Sequence, residues 1–128
     1  ELAKRALLRL LSARLFDSDG KVRLYAIQGL HLVKDEKTVT VLGALIQDPM
    51  EEVRLATLEA MANTGHASAV DGIAGALEDE NKVIRKAAIA ALAKLNRKEA
   101  VPVLQTYLTK EKDKALVDQT RKVLRGLK

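Results

Sequence analysis

The sequence predicts an all-α protein whose helix pairs stack into a right-handed superhelix, an α-solenoid. Three observations indicate this fold. Apolar residues make up 48% of the 128 residues but aromatic residues only 2%, so the core must be aliphatic. Along most of the chain the apolar residues are three and four positions apart, which is the spacing of amphipathic helices. The same pattern also returns every 31 residues, and repeated helix pairs of this length bury their apolar faces by stacking on one another.

The 31-residue period is visible in both halves of the repeating unit. Six positions of the first half recur three times: Asp17, Asp48 and Asp79; Val22, Val53 and Ile84; Arg23, Arg54 and Arg85; Ala26, Thr57 and Ala88; Gly29, Ala60 and Ala91; Leu30, Met61 and Leu92. Three positions of the second half recur four times: Leu8, Val39, Val70 and Val101; Leu11, Leu42, Ile73 and Leu104; Leu15, Ile46, Leu77 and Leu108. About four repeats are therefore expected.

These recurrences divide the chain into a half-unit at 1–16, units at about 17–47, 48–78 and 79–109, and a degenerate terminal helix at 110–128. Each unit contributes a first helix and a second helix. We expect eight helices, at about 2–16, 20–33, 37–47, 49–63, 67–78, 80–95, 98–109 and 113–126. The chain opens on a second helix and has no initiator Met nearby, so we expect it to be a fragment of a longer chain whose end helices are caps or truncation points.

Local signals mark where the helices start and stop. Asp48 followed by Pro49 predicts an N-cap with proline at the first helical position. Gly65 and Asn96 occupy one position of the repeat and suit the left-handed conformation that ends a helix, whereas Lys34 in the same position departs from that rule. Thr57 has a hydroxyl where the other units have alanine, and if the units pack tightly this hydroxyl is expected to form a hydrogen bond back to its own helix.

Small residues within the helices predict close helix packing. They are Gly29, Gly43, Ala60, Gly72, Ala74, Gly75 and Ala91. A glycine inside a helix costs about 1 kcal/mol relative to alanine. Gly72 and Gly75 in one helix therefore indicate either tight packing or a less stable unit.

The repeated pattern Asp-x-x-x-x-Val-Arg-x-x-Ala-x-x-Ala-Leu, a Gly or Asn turn, and then Ala-Val-x-x-Leu resembles the HEAT-like repeat, in the short form found in phycobilin lyase subunits. The best match is VIRKAAIAALAKLNRKEAVPVLQTYL, residues 83 to 108. The resemblance implies a structural ladder in which Asp17, Asp48 and Asp79 cap helices or pair with Arg23, Arg54 and Arg85. The alternative is that the arginines bind a phosphate or carboxylate, which a guanidinium fork also suits.

No catalytic or cofactor-binding signature is found. The two histidines, His31 and His66, lie at different positions of the repeat, and neither belongs to the paired His-Glu dipeptides of metal-dependent hydroxylases built from such repeats. A metal site needs three or four converging ligands. The chain has no cysteine and no tryptophan, and its Gly-x-x-Gly at 72–75 lies in a helical pattern. We therefore expect no enzyme activity, no cofactor and no metal.

The function that we expect is a protein–protein interaction scaffold or adaptor. By the family resemblance, second helices line the concave side, and the candidate binding surface comprises Arg5, Arg9, Ser12, Thr40, Gln47, Asp71, Glu78, Lys98, Gln105 and Thr109. Basic residues are in excess over 1–31 and 80–128 and acidic residues over 32–79. A surface of mixed charge suits a protein segment better than a uniform polyanion.

Two alternatives remain open. Polyanion or nucleic-acid binding would use the basic residues Lys82, Arg85, Lys86, Arg97, Lys98, Arg121, Lys122 and Arg125. A lyase-like subunit that handles a tetrapyrrole is implied by the family resemblance alone. The apolar runs are too short to insert into a membrane, and the expected location is cytoplasmic. Exposed end helices also make self-association an expectation.

Overall fold

The computed structural model describes residues 2–33 and 35–127. They form eight α-helices: α1 (Leu2–Arg14), α2 (Gly20–Leu30), α3 (Glu36–Leu42), α4 (Glu51–Thr64), α5 (Ala69–Ala76), α6 (Lys82–Leu95), α7 (Ala100–Leu108) and α8 (Lys114–Gly126). A single 3-10 turn, Gly43–Leu45, follows α3. No strand occurs in these residues. The all-α prediction and the eight predicted helices are confirmed.

The helices form two layers. The first helices α2, α4, α6 and α8 pack against one another in sequence, and each second helix, α1, α3, α5 and α7, packs against the first helix of the following unit. Each layer therefore buries the apolar side of the other. This is the stacking that a helix pair with one apolar stripe requires.

One continuous aliphatic core runs through the stack, from Leu15 to Leu116. The recurring apolar positions supply it: Val53 and Ile84 are fully buried, as are Leu42 and Ile73. The period of the sequence is thus the period of the core.

The prediction of close packing is confirmed at Gly29 and wrong at Gly43, and of the two alternatives for Gly75 the structure does not support tight packing. At Gly29 a Cβ would lie 2.9 Å from Cδ1 of Leu11, so α1 and α2 approach closely there. Gly43 faces open space, and a Cβ at Gly75 would make only an ordinary 3.7 Å contact with Cγ2 of Ile46. A Cβ at Gly72 would clash with the flexible end of the Met61 side chain, which would have to move. Gly43 and Gly75 are therefore not packing requirements.

The predicted N-cap at Asp48 is wrong. Helix α4 begins at Glu51, so Pro49 precedes it, and the carboxylate of Asp48 instead accepts the N–H of Met50 at 2.9 Å. The other two aspartates of this column do the same: Asp17 accepts the N–H of Asp19, and Asp79 accepts the N–H of Asn81, both at 2.8 Å. The recurrence of these aspartates every 31 residues thus reflects a turn that precedes each first helix, with the aspartate two residues ahead of the N-cap.

The true N-caps are the residues two positions later. The side chains of Asp19 and Asn81 accept the N–H of Lys21 and of Val83, as capping residues do. Met50 holds the same position in α4 with extended backbone and no side-chain cap.

The predicted helix ends are confirmed at two units. Gly65 follows α4 with φ of 72° and Asn96 follows α6 with φ of 50°, both left-handed. The third residue of this column, Lys34, lies outside the described residues. Most residues other than Gly or Asn would have a strained backbone at these positions.

The hydroxyl of Thr57 also behaves as predicted. It is fully buried and donates to the carbonyl oxygen of Val53 at 2.7 Å. In α8 the buried hydroxyl of Thr120 donates to Leu116 in the same way, at 2.7 Å. Thr120 lies 32 rather than 31 residues after Ala88, so the last helix is shifted by one residue relative to the repeat.

Candidate functional site

The recurring arginines join successive units. Nε and Nη2 of Arg23 donate to the two carboxylate oxygens of Asp48 in the next unit, at 2.7 and 3.0 Å. The Nη1 group of the same arginine donates to the carbonyl oxygen of Asp17 in its own unit at 2.8 Å. One guanidinium thus binds the turn before its own helix and the corresponding turn of the next unit. The Asp48 side chain is only 3% exposed, so this pair is shielded from solvent.

The next two arginines repeat this arrangement. Arg54 places Nε 3.0 Å from Oδ2 of Asp79, and Arg85 donates from Nε to Oε2 of Glu111 at 2.8 Å. Their Nη1 groups donate to the carbonyl oxygens of Asp48 and Asp79. The pair of Arg54 and Asp79 is the weaker one, because the buried Nε lies near the carboxylate without the alignment of a hydrogen bond.

Glu111 is a member of this ladder that sequence reasoning missed. The strict 31-residue step after Asp79 reaches Lys110, and the acceptor lies one residue further along. The hydroxyl of Tyr107 also donates to Oε2 of Glu111, at 2.5 Å. The signal that could have located Glu111 is the 32-residue step from Ile84 to Leu116, which reveals the one-residue insertion.

The arginines of the ladder help to keep the carboxylates that they face ionised. Burial alone would raise the pKa of Asp48, but hydrogen bonds from Arg23 and Met50 and the nearby guanidinium charges hold that pKa below its usual range. The pKa of Glu111 is likewise lowered against the effect of burial, chiefly by Tyr107, the Asp113 amide and Arg85. Both carboxylates are therefore ionised near neutral pH. The guanidiniums that face them are already bound, which leaves little of their fork for a phosphate from solution.

The ten residues of the predicted binding surface lie on the second helices and the turns that flank them. Nine of them are exposed, and Ser12 is half-buried. They form rows that follow the repeat, for example Arg9, Thr40 and Asp71. The second-helix layer therefore presents a polar surface of mixed charge.

A groove lies between α5 and α7 on this layer and has a volume of about 900 Å³. Its wall is mainly apolar, with Ala74, Leu77, Val103 and Tyr107. Charged residues stand around it: Glu78, Asp79, Glu80, Arg85, Lys110, Glu111 and Lys112. Of the ten predicted surface residues only Glu78 lines this groove. The sequence does not reveal the groove, because its width depends on how far apart two consecutive second helices lie.

An exposed ion pair spans this region. Nζ of Lys110 lies 3.6 Å from Oε1 of Glu78, and both side chains are mostly in solvent. Such a pair is weak and easily exchanged for contacts with a ligand. Glu78 and Lys110 are thus available to set the orientation of a bound segment.

The basic residues of the polyanion alternative are partly engaged within the protein. Nζ of Lys82 bonds to Asp113 at 3.1 Å, and Nη2 of Arg97 donates to the carbonyl oxygen of Gly65 at 2.6 Å. Arg85 is held by Glu111. These contacts break up the continuous basic stripe that a polyanion needs.

Among the residues that the structure describes, no group of His, Asp and Glu side chains is arranged to hold a metal ion. None of the described helices is both long enough and apolar enough to cross a bilayer.

Comparison with known proteins identifies the class. The family model for HEAT repeats matches residues 6–71 and 41–125, so the chain belongs to the HEAT repeat family. A search of curated proteins by sequence found no match.

Solved structures give the same fold. A chain from the complex of CpcE and CpcF of phycocyanin lyase from Nostoc sp. PCC7120 is similar, with a TM-score of 0.72 and 25% identity over 91% of this chain and 53% of that one. An engineered protein is similar with a TM-score of 0.65 and 22% identity, over 94% of this chain and 62% of that one. YibA of Escherichia coli is similar with a TM-score of 0.61 and 19% identity, over 97% and 56%. This chain spans about half the length of the lyase chain that it matches.

Proposed function

We propose that the chain is a non-catalytic protein–protein interaction scaffold that binds a protein segment across its second-helix layer, with the groove between α5 and α7 as the principal contact. The observation that carries this proposal is the groove itself, an open apolar wall with a rim of both charge signs. Such a surface accepts the apolar side chains of a segment and orients it by its charges. Membership of the HEAT repeat family supports the same function.

The absence of catalysis in this proposal is supported by the state of two carboxylates. The carboxylates with lowered pKa values, Asp48 and Glu111, are each bound by an arginine and backbone N–H groups, so they are poor general bases. Glu111, which lines the groove, is therefore better suited to recognition than to proton abstraction.

The test is a substitution that fills the groove without touching the core. Thr106 is exposed and lines the groove, so Thr106→Arg should place a long cationic side chain across it. Gln28→Arg is the matched control, because it adds the same side chain at an exposed position of α2 in the other layer. Proteins captured from the native source by the unaltered chain are compared with those captured by each variant.

A captured protein is then purified and titrated against all three chains. We expect Thr106→Arg to weaken binding at least about tenfold, which is the effect of losing roughly 1.4 kcal/mol of binding free energy. Gln28→Arg should bind as the unaltered chain does. Equal affinity of all three chains for every captured protein would refute the groove as the binding site.

A second candidate is a lyase-like subunit that handles a tetrapyrrole. The similarity to a chain of the CpcE and CpcF complex supports it. An absorbance titration with a linear tetrapyrrole tests it: a spectral shift that saturates with the unaltered chain and is lost in Thr106→Arg favours this candidate. No shift at any ratio removes it.

A further inference from the structure

The turn after α5 carries more negative charge than the ladder requires. Asp79 is the ladder residue of this turn, and Glu78 and Glu80 flank it on either side. In the preceding unit the same flanking positions are occupied by Gln47 and Pro49, although the ladder pair is present there too. The two glutamates are therefore not needed to join the units.

These glutamates lie where negative charge is unfavourable for the fold. Helix α5 ends at Ala76 and has no basic residue in its last turn. The carboxyl end of a helix carries a partial negative charge, so acids beside it are repelled. Within the described residues, the carboxylate of Glu80 has no ion-pair or hydrogen-bond partner, and that of Glu78 has only the exposed contact with Lys110 at 3.6 Å. Charges that oppose the fold without an internal contact are typical of a functional surface.

The lysines on the opposite side of the groove are placed differently. Lys110 and Lys112 follow the carboxyl end of α7, where the partial negative charge of the helix stabilises cations. The other charged side chains of the lining, Asp79, Arg85 and Glu111, are held in ladder pairs. The two glutamates are thus the charges that the fold leaves unsatisfied, and they favour a cationic ligand on the α5 side of the groove.

The groove places these acids beside accessible apolar surface. Glu78 and Glu80 line its end near the turn, and Ala74, Pro102 and Val103 line it further along α5 and α7. Pro102 is exposed, and Ala74 and Val103 are half-buried. A ligand can therefore contact the apolar wall and the carboxylates at the same time.

The backbone of a bound segment must be accommodated as well. An extended segment has N–H and C=O groups that need partners where water is removed. The walls of the groove are helices, and among the described residues of its lining only Thr106 and Tyr107 have uncharged polar side chains. The hydroxyl of Tyr107 already donates to Glu111. A helix satisfies its own backbone and is the better fit.

From these observations we propose that the segment bound in the groove is an amphipathic helix with an aliphatic stripe and a Lys or Arg beside it. The aliphatic side chains cover Ala74, Pro102 and Val103. The cation binds Glu78 and Glu80, and it replaces Lys110 at Glu78. This inference rests on the proposed function, because it names the chemistry of the partner that the groove binds.

A library of random peptides tests this chemistry directly. The displayed peptides have about 16 random positions, enough for four helical turns, and are selected on the 128-residue chain. A peptide is groove-dependent if its binding is lost in Thr106→Trp, which fills the groove with a bulky side chain and leaves its charge unchanged. We expect the groove-dependent peptides to be enriched in Lys and Arg beside aliphatic residues at helical spacing.

Matched charge variants are then titrated with one groove-dependent peptide. Glu78→Gln and Glu80→Gln should each weaken its binding about threefold, and the two together about tenfold, which is the strength of exposed ion pairs. Lys112→Gln removes an exposed charge of the opposite sign from the same groove and should tighten binding about twofold. Because Glu80 opposes the end of α5, Glu80→Gln should leave the melting temperature unchanged or raise it by up to about 3 °C.

The outcomes separate this inference from the function on which it rests. Groove-dependent peptides without an excess of Lys and Arg, or without helical spacing, would overturn the cationic helix and leave the groove as the binding site. Equal effects of Glu80→Gln and Lys112→Gln on affinity would do the same. A melting temperature lowered by more than about 2 °C in Glu80→Gln would assign Glu80 to the fold and also overturn the inference. Peptides that all bind Thr106→Trp unchanged would refute the groove itself, and this inference with it.

Discussion

The pair of Arg23 and Asp48 gives the sharpest stability prediction. In the unaltered chain the Nε–H of Arg23 donates to Oδ2 of Asp48 at 2.7 Å, and the N–H of Met50 donates to Oδ1. Asp48→Asn keeps the Oδ1 acceptor but replaces Oδ2 with an NH2 group, so that two hydrogen-bond donors face each other. One charge-assisted hydrogen bond is lost, which is worth about 1.5–3 kcal/mol. Because the Asp48 side chain is 3% exposed, solvent cannot replace that bond. We expect the free energy of unfolding to fall by about 2 kcal/mol.

The corresponding shift in melting temperature follows from the size of the chain. At about 2.1 cal/mol/K per residue, 128 residues have an unfolding entropy of about 0.27 kcal/mol/K, so 2 kcal/mol corresponds to about 7 °C. Thermal unfolding followed by circular dichroism at pH 7 measures it. Asp71→Asn is the matched control, because Asp71 is exposed on α5, and its melting temperature should change by less than about 2 °C. A loss below about 2 °C for Asp48→Asn would refute the structural role of the ladder.

Three further predictions concern other parts of the molecule. Since the pKa values of Asp48 and Glu111 are lowered in the folded state, the contribution of these two groups to stability should be fully present above about pH 5 and be lost progressively below about pH 4 as they are protonated. The loss should be smaller in Asp48→Asn, and an equally steep loss in that variant would contradict this explanation. Tyr107→Phe removes the hydrogen bond to Glu111 and should lower the free energy of unfolding by about 1 kcal/mol in urea titration. The pKa of Tyr107 is raised, mainly by burial and then by Glu111, so Tyr107 should stay protonated between roughly pH 9 and 11. The increase in phenolate absorbance over that pH range should therefore be the same in Tyr107→Phe as in the unaltered chain. Gly75→Ala should raise the melting temperature by about 4 °C because its Cβ meets only an ordinary contact, whereas Gly72→Ala must displace the end of Met61 and should gain less.

The sequence predicts the fold well because the fold repeats. A core position such as Val53 is constrained by neighbours on both sides, and the same constraint acts 31 residues later on Ile84. Eight helices and their order follow from that periodicity. The left-handed residues Gly65 and Asn96 were also predictable, since few residue types tolerate that conformation.

Details that depend on one turn or one insertion were not predictable. Asp48 has the sequence signature of an N-cap, but its carboxylate is used by Met50 and Arg23, and the helix starts later. Glu111 is displaced by one residue from the period, so a strict column count misses it. Gly43 suggested close packing, but it faces open space where α3 ends in a 3-10 turn.

The candidate site was predicted only in part. The sequence identifies the layer, because the second helices carry exposed polar residues at repeating positions, such as Thr40 and Asp71. It does not identify the groove, whose walls of Ala74 and Val103 read as ordinary core positions.

The central claim is that the recurring Asp and Arg residues hold the units together while the exposed second-helix layer binds the partner. The most direct measurement compares Asp48→Asn and Thr106→Arg for both melting temperature and affinity toward a captured partner, at a temperature where both variants are folded. We predict that Asp48→Asn melts about 7 °C lower and binds unchanged, whereas Thr106→Arg melts unchanged and binds at least about tenfold more weakly. Lost binding with an unchanged melting temperature in Asp48→Asn would contradict the claim and place the pair of Arg23 and Asp48 in the binding site.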